Sequence, residues 1–109
     1  VLAENLEAVG KVRPPNSAAH HVVAGTDPRA AQARAILQRD GIDINEAANG
    51  VFLPKNSKFA APPVQTHSTV HTNRYYDEVN LELSRAAPGT VRDVLADIEQ
   101  RLLNGTFPH

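Results

Sequence analysis

Residues 67–83 read HSTVHTNRYYDEVNLEL, and the architecture turns on this stretch. Ser68 or Thr69 can cap a helix, because a short side-chain oxygen accepts from the amides that the first turn leaves free. Val70, Tyr75, Val79 and Leu83 then recur at helical spacing until Pro88-Gly89 ends the element. His67 and His71 stand four positions apart, so two imidazoles can face one metal ion if helical geometry reaches back to position 67.

Upstream, Lys55 to Thr66 carries Lys, Ser, Ala, Gln and Pro62-Pro63 without a period and reads as a surface loop. Asn49-Gly50 marks a turn, Val51-Phe52-Leu53 a strand that stops at Pro54, and Asn45 to Ala48 a single helical turn capped by Asn45. Asp27-Pro28 predicts a helix over about 28–39, since the carboxylate caps exposed amides and proline at the first helical position wastes none; Gly41 offers the stop. Ala18 to Ala24 holds His20, His21, Val22 and Val23 between turn residues and reads as a strand. Residues 1–17 read as a lead-in: Leu2, Leu6 and Val9 form a short amphipathic stretch that Gly10 and Pro14-Pro15 interrupt. Downstream, Val91, Val94, Leu95, Ile98 and Leu102 form one helical stripe that starts near Thr90 and closes at Asn104-Gly105. The expected class is α+β, with three main helices around a small sheet in one domain.

Composition narrows the chemistry. Twelve acidic side chains against eleven Lys and Arg leave the 109 residues at -1, which excludes a polybasic tail and makes any basic surface local. Cysteine is absent, so disulfides, thiolate metal sites and a cysteine nucleophile are excluded, and a metal must be held by His, Asp or Glu. Apolar runs reach four or five residues, far below the roughly 18 that span a bilayer, so a soluble chain without a membrane partner is expected. The start at Val1-Leu2-Ala3, without Met or an export pattern, suggests a piece of a longer polypeptide.

Four of the five histidines fall in two pairs, His20-His21 and His67 with His71. Neighbours on a strand point to opposite faces, so one of His20 and His21 can join the second pair while the other is free to take a proton. That division suits metal-assisted phosphodiester cleavage, where an ion stabilises phosphate charge and a neutral imidazole activates water. By spacing alone, a solvated helix face and an ordinary strand stay open as readings. No acidic residue lies between Ala47 and Tyr76, whereas Lys55, Lys58 and Arg74 do, so phosphate can dock there. The acids gather over residues 77–99, where six face Arg85 and Arg92.

The order Ala19-His20-His21, then Asn49-Gly50-Val51-Phe52-Leu53-Pro54, then His67-Ser68-Thr69-Val70-His71-Thr72 resembles the AHH family of nucleases. The resemblance continues through Arg74-Tyr75-Tyr76-Asp77 and Leu103-Asn104-Gly105-Thr106-Phe107, which makes residues 18–107 the expected nuclease domain. The family belongs to the HNH, or His-Me finger (ββα-metal), superfamily, built on a short β-hairpin and a metal-bearing helix around one divalent ion. The resemblance implies that His20 is a metal ligand at the end of the first strand, His21 the general base and His71 the ligand on the helix. His67 matches the other ligand position of the nuclease colicins, which are similar in having a two-His helix motif of this spacing. Asn49 matches the middle residue of the HNH pattern, whose amide ties the hairpin loop together and helps hold the base without touching substrate. Two features depart from the compact pattern: the Lys55 to Thr66 insertion before His67, and the extra helix between the first His pair and Asn49.

Arg74 is a candidate for phosphate or leaving-group stabilisation, because guanidinium offers a planar set of donors. Lys55 and Lys58, and more weakly Arg13, are candidates for phosphate contacts on charge alone. Tyr75, one turn beyond His71, can close the metal site, stack on a base or sugar, or pack in the core. For the ion (Zn, Ni, Mg or Mn), three neutral imidazoles favour Zn²⁺ or Ni²⁺, whereas Mg²⁺ prefers oxygen unless substrate phosphate completes its shell. Members of the AHH family occur largely as C-terminal modules of bacterial polymorphic toxins. The resemblance therefore implies a secreted effector that cuts DNA in the cytoplasm of a target cell and is restrained by a cognate immunity protein. A ribonuclease on the same scaffold and a non-catalytic metal- and nucleic-acid-binding module are the alternatives.

Overall fold

The structure is a computed structural model that describes all 109 residues. Strand β1, Ser17–His21, pairs antiparallel with β2, Gly50–Pro54, in a two-stranded sheet whose register sets Ala19 against Phe52 and His21 against Gly50. The strand expected over Ala18 to Ala24 leaves the ladder after His21 because Asn49 captures the next two residues. The Val22 amide donates to the Asn49 carbonyl and the Val23 amide to the Asn49 side-chain oxygen.

The excursion between the strands holds the helix that Asp27-Pro28 announces. The Asp27 carboxylate accepts from the Arg29 amide at 2.9 Å, a 3₁₀ turn covers Pro28–Ala30, and the α-helix runs Ala31–Arg39. A second 3₁₀ turn, Ala47–Asn49, leads into β2. After β2 come two long helices, Asn73–Ser84 and Val91–Asn104. With the short N-terminal helix Leu2–Ala8, the four helices are α1 (2–8), α2 (31–39), α3 (73–84) and α4 (91–104), and the class is α+β as expected.

The core lies where α2, α3 and α4 meet the inner side of the hairpin. Tyr75, Val79 and Leu83 of α3 pack with Val91, Leu95, Ile98 and Leu102 of α4 and Ala33 and Leu37 of α2. Each large apolar side chain buried there contributes about 1.5–3 kcal/mol. A smaller cluster joins Leu2 and Leu6 of α1 to Phe52 of β2. The lead-in segment thus contains a helix seated on the hairpin, and Gly50 makes room for it: a Cβ there would come 2.5 Å from Leu2.

Helix α3 begins later than expected. Thr72 caps it, its hydroxyl accepting from the Tyr75 amide at 3.2 Å. Ser68 and Thr69 belong instead to a separate 3₁₀ turn, His67–Thr69, in which the Thr69 hydroxyl donates to the Thr66 carbonyl and the Ser68 amide to Lys55. His67 and His71 therefore sit in the approach to α3, and the expectation that the helix itself carries them is corrected. The loop over 55–66 is largely exposed, but its end is pinned, because the buried Gln65 donates from its backbone N–H to the Leu102 carbonyl and accepts from the Phe107 amide through its side-chain Oε1. No helix is long and apolar enough to cross a membrane.

Candidate metal centre

Strand alternation places His20 on the inner face of β1 and His21 on the other. His20 is 1% exposed. Its Nδ1 lies 3.0 Å from Nδ1 of His67, and Nε2 of His67 lies 3.4 Å from Nε2 of His71. One ring nitrogen from each of the three falls within 4.8 Å of the others. Exposure rises from buried His20 through half-buried His67 to exposed His71, so the cluster opens to solvent on one side.

Behind the cluster the rings have further partners. Nε2 of His20 meets the Tyr75 hydroxyl at 2.8 Å, and that hydroxyl donates to the Val22 carbonyl at 2.7 Å. Nδ1 of His71 meets the Tyr76 hydroxyl at 2.9 Å. His21 is anchored separately, its Nε2 donating to the Asn45 amide oxygen at 2.8 Å. Asn49, fully buried, accepts from the Val23 amide and donates to the Val23 and Ile44 carbonyls, tying the exit of β1 to the segment that ends in Asn45.

Electrostatics favour unprotonated rings. Burial, and then the charges that His67, His71 and His21 would carry, hold His20 well below the ordinary histidine range. Burial and the neighbouring His71 and His21 lower His67, and burial followed by the Arg29 guanidinium lowers His71. At neutral pH all three offer lone pairs rather than charges. The 3.0 Å contact uses Nδ1 of His67 and the 3.4 Å contact its Nε2, so one ion would take a single nitrogen from each ring. Such a set lies within 4.8 Å of one another, against roughly 3.3 Å for nitrogens bonded at roughly 2 Å to one tetrahedral ion. The donor set fits a divalent ion of borderline softness.

Of the residues singled out by sequence, the fold brings His20, His67 and His71 together, sets His21 beside them on the opposite strand face, and puts Asn49 beneath the exit of β1. Tyr75 cannot stack on a substrate or reach its phosphate. Its ring is 1% exposed, wedged between His20, Tyr76 and Phe107, and its hydroxyl is engaged on both sides. Arg74 projects into solvent from the first turn of α3. Lys55 adjoins the His67 turn through its carbonyl, which accepts from the Ser68 amide; exposed Lys58 lies over the Phe59 ring, and Arg13 over Phe52.

Sequence reasoning misses three neighbours. It marks Asn45 only as a helix cap and Asp27 only as a helix start with Pro28, and passes over Arg29. Arg29 grips Asp27 through two nitrogens, donates to Asn73 and stacks 4.3 Å from the Tyr76 ring, which brings its charge to His71. The Asp27–Arg29 pairing is visible as a local spacing, but the contact with α3 spans 44 residues and leaves no local signal.

A family model described as a nuclease family of the HNH/ENDO VII superfamily with conserved AHH matches residues 1–102. No curated protein and no solved structure matches the chain.

Proposed function

From the premise that the chain belongs to the AHH family of nucleases, we propose that it is a metal-dependent endonuclease hydrolysing DNA phosphodiester bonds. The observation that carries this reading is the convergence of His20, His67 and His71 with His21 left on the other side of the strand. The three clustered imidazoles would hold one divalent ion, which when bound supplies positive charge to offset the negative charge building on the phosphate and leaving oxygens. Three neutral nitrogens favour Zn²⁺ or Ni²⁺, while Mg²⁺ or Mn²⁺ would draw on oxygens of the substrate.

His21 is the proposed general base. An amide oxygen only accepts, so the bond to Asn45 puts the ring proton on Nε2 and leaves Nδ1 bare to take a proton from water. Asn49 holds both ends of that arrangement by bonding Val23 and Ile44, and so acts as a positioning residue. Arg74, Lys55 and Lys58 are exposed cations near the approach to α3 that can attract a polyanion. The usual setting of AHH domains supports a toxin role: a secreted bacterial module acting in the cytoplasm of a target cell, held in check by a cognate immunity protein.

Plasmid nicking by the purified domain with Mg²⁺, Mn²⁺, Zn²⁺ or Ni²⁺, beside an RNA substrate, tests the proposal. Cleavage of DNA that a chelator stops is expected. His21→Ala should lower it by about 10²-fold or more while the thermal melt and metal affinity stay near wild type. Wild-type turnover in that variant would defeat the assignment of the base. Cleavage of RNA alone would move the substrate, and metal binding with no cleavage of either polymer would favour a binding module.

A further inference from the structure

The hydrogen atoms around His20 can be counted. A tyrosine hydroxyl has one proton to give, and a backbone carbonyl has none. The Tyr75 oxygen stands 2.7 Å from the Val22 carbonyl and 2.8 Å from Nε2 of His20. Its proton must go to Val22, so the second contact is a hydrogen bond only if Nε2 of His20 is the donor. A neutral imidazole carries one ring proton, which leaves Nδ1 bare, and Nδ1 is the atom that faces His67. Both side chains are buried, so water cannot take over either bond.

We infer that Tyr75 is a positioning residue for the metal centre: it commits its own proton to Val22 and thereby locks His20 in the tautomer whose Nδ1 lone pair points into the histidine cluster. The inference rests on the reading of His20, His67 and His71 as metal ligands. It explains why a tyrosine occupies a position that phenylalanine would fill equally well as packing, beside Phe107 and Tyr76. Without the hydroxyl, the His20 ring loses the only partner of its Nε2 and can place its proton on Nδ1, where it would have to be displaced before an ion binds.

Two measurements test this. In the metal-free wild-type protein, long-range ¹H–¹⁵N correlation NMR should show His20 with its proton on Nε2; a proton on Nδ1 overturns the inference whether or not any variant folds. Titration calorimetry with Zn²⁺ should show Tyr75→Phe binding roughly 10–100-fold more weakly than wild type, with the His20 spectrum shifted towards the other tautomer. Unchanged affinity in a folded Tyr75→Phe variant sinks the role of Tyr75 and leaves the metal reading standing. No zinc binding by wild type sinks the metal reading, and this inference with it.

Discussion

Asn49 has no exposed surface, and its side-chain amide makes three hydrogen bonds, accepting one and using both of its donors. Replacing it with alanine would strand the Val23 amide and the Val23 and Ile44 carbonyls, and unpaired buried groups cost about 1–3 kcal/mol each. Asn49→Ala should therefore lose about 3 kcal/mol or more in urea denaturation; a loss below about 1 kcal/mol would mean that this junction reorganises around the gap. At this scale the sequence is informative about identity and silent about partnership. The spacing of the histidines and the order of motifs single out His20, His21, Asn49, His67 and His71. That His20 is the inward one depends on burial, which no run of five residues reveals. Asn45 and Arg29 stay hidden because their partners lie 24 and 44 positions away.

Among the elements, the approach to α3 shows how a correct grouping can have a different cause. The four-residue spacing of His67 and His71 suggests one helical face, yet the rings meet at a centroid distance of 4.6 Å across a 3₁₀ turn and a bend. Three capping-type residues compete for the start of this helix. Thr72 is the one whose hydroxyl accepts from α3, whereas the Thr69 hydroxyl bonds back to Thr66 and the Ser68 backbone amide to Lys55, both within the separate turn. Helix α4 is legible to within a residue, since its stripe is local and its end is a glycine with φ of 73°. That glycine does more than end a helix. A Cβ at position 105 would collide with the Pro63 carbonyl, in the segment that leads through Gln65 to His67. Gly105→Ala should cost about 1–2 kcal/mol for the left-handed backbone alone, with the clash in addition. A fall in melting temperature of roughly 4–8 °C per kcal/mol is expected, together with weaker Zn²⁺ binding. A lowered melt with intact zinc affinity would show that His67 is placed independently of α4.

Taken whole, the molecule is nearly neutral, but its ionisable groups are unevenly sorted. Several charged residues of α3 and α4 are paired, as in Arg92 with Glu46, Lys11 with Glu99 and Arg101 with Glu82 and Asp97. The imidazoles of His20, His67 and His71 are instead crowded together, and burial above all favours their neutral form. Because folding lowers the pKa of His20, His67 and His71, the unfolded chain binds more protons than the folded one below about pH 6.5. Stability of the metal-free protein is thus complete above that pH and declines as the pH falls towards the depressed values. Thermal melts in chelator should drop between pH 7.5 and 5.5, and His20→Gln should flatten the slope; a flat wild-type profile would contradict the crowding. Helix stripes and turn residues expose most of this architecture to a reading of sequence. The seating of α1 on Phe52 is not visible there, because Pro14-Pro15 and Gly10 separate that helix from everything it touches.

One peptide unit separates His20 from His21, and the pleat of β1 alone decides which of them looks inward. Shifting β1 by a single residue in its pairing with β2 would turn the pair over. The proposed ligand would then face the water and the proposed base the ion, so the hairpin's pairing frame is as much a part of the chemistry as any side chain.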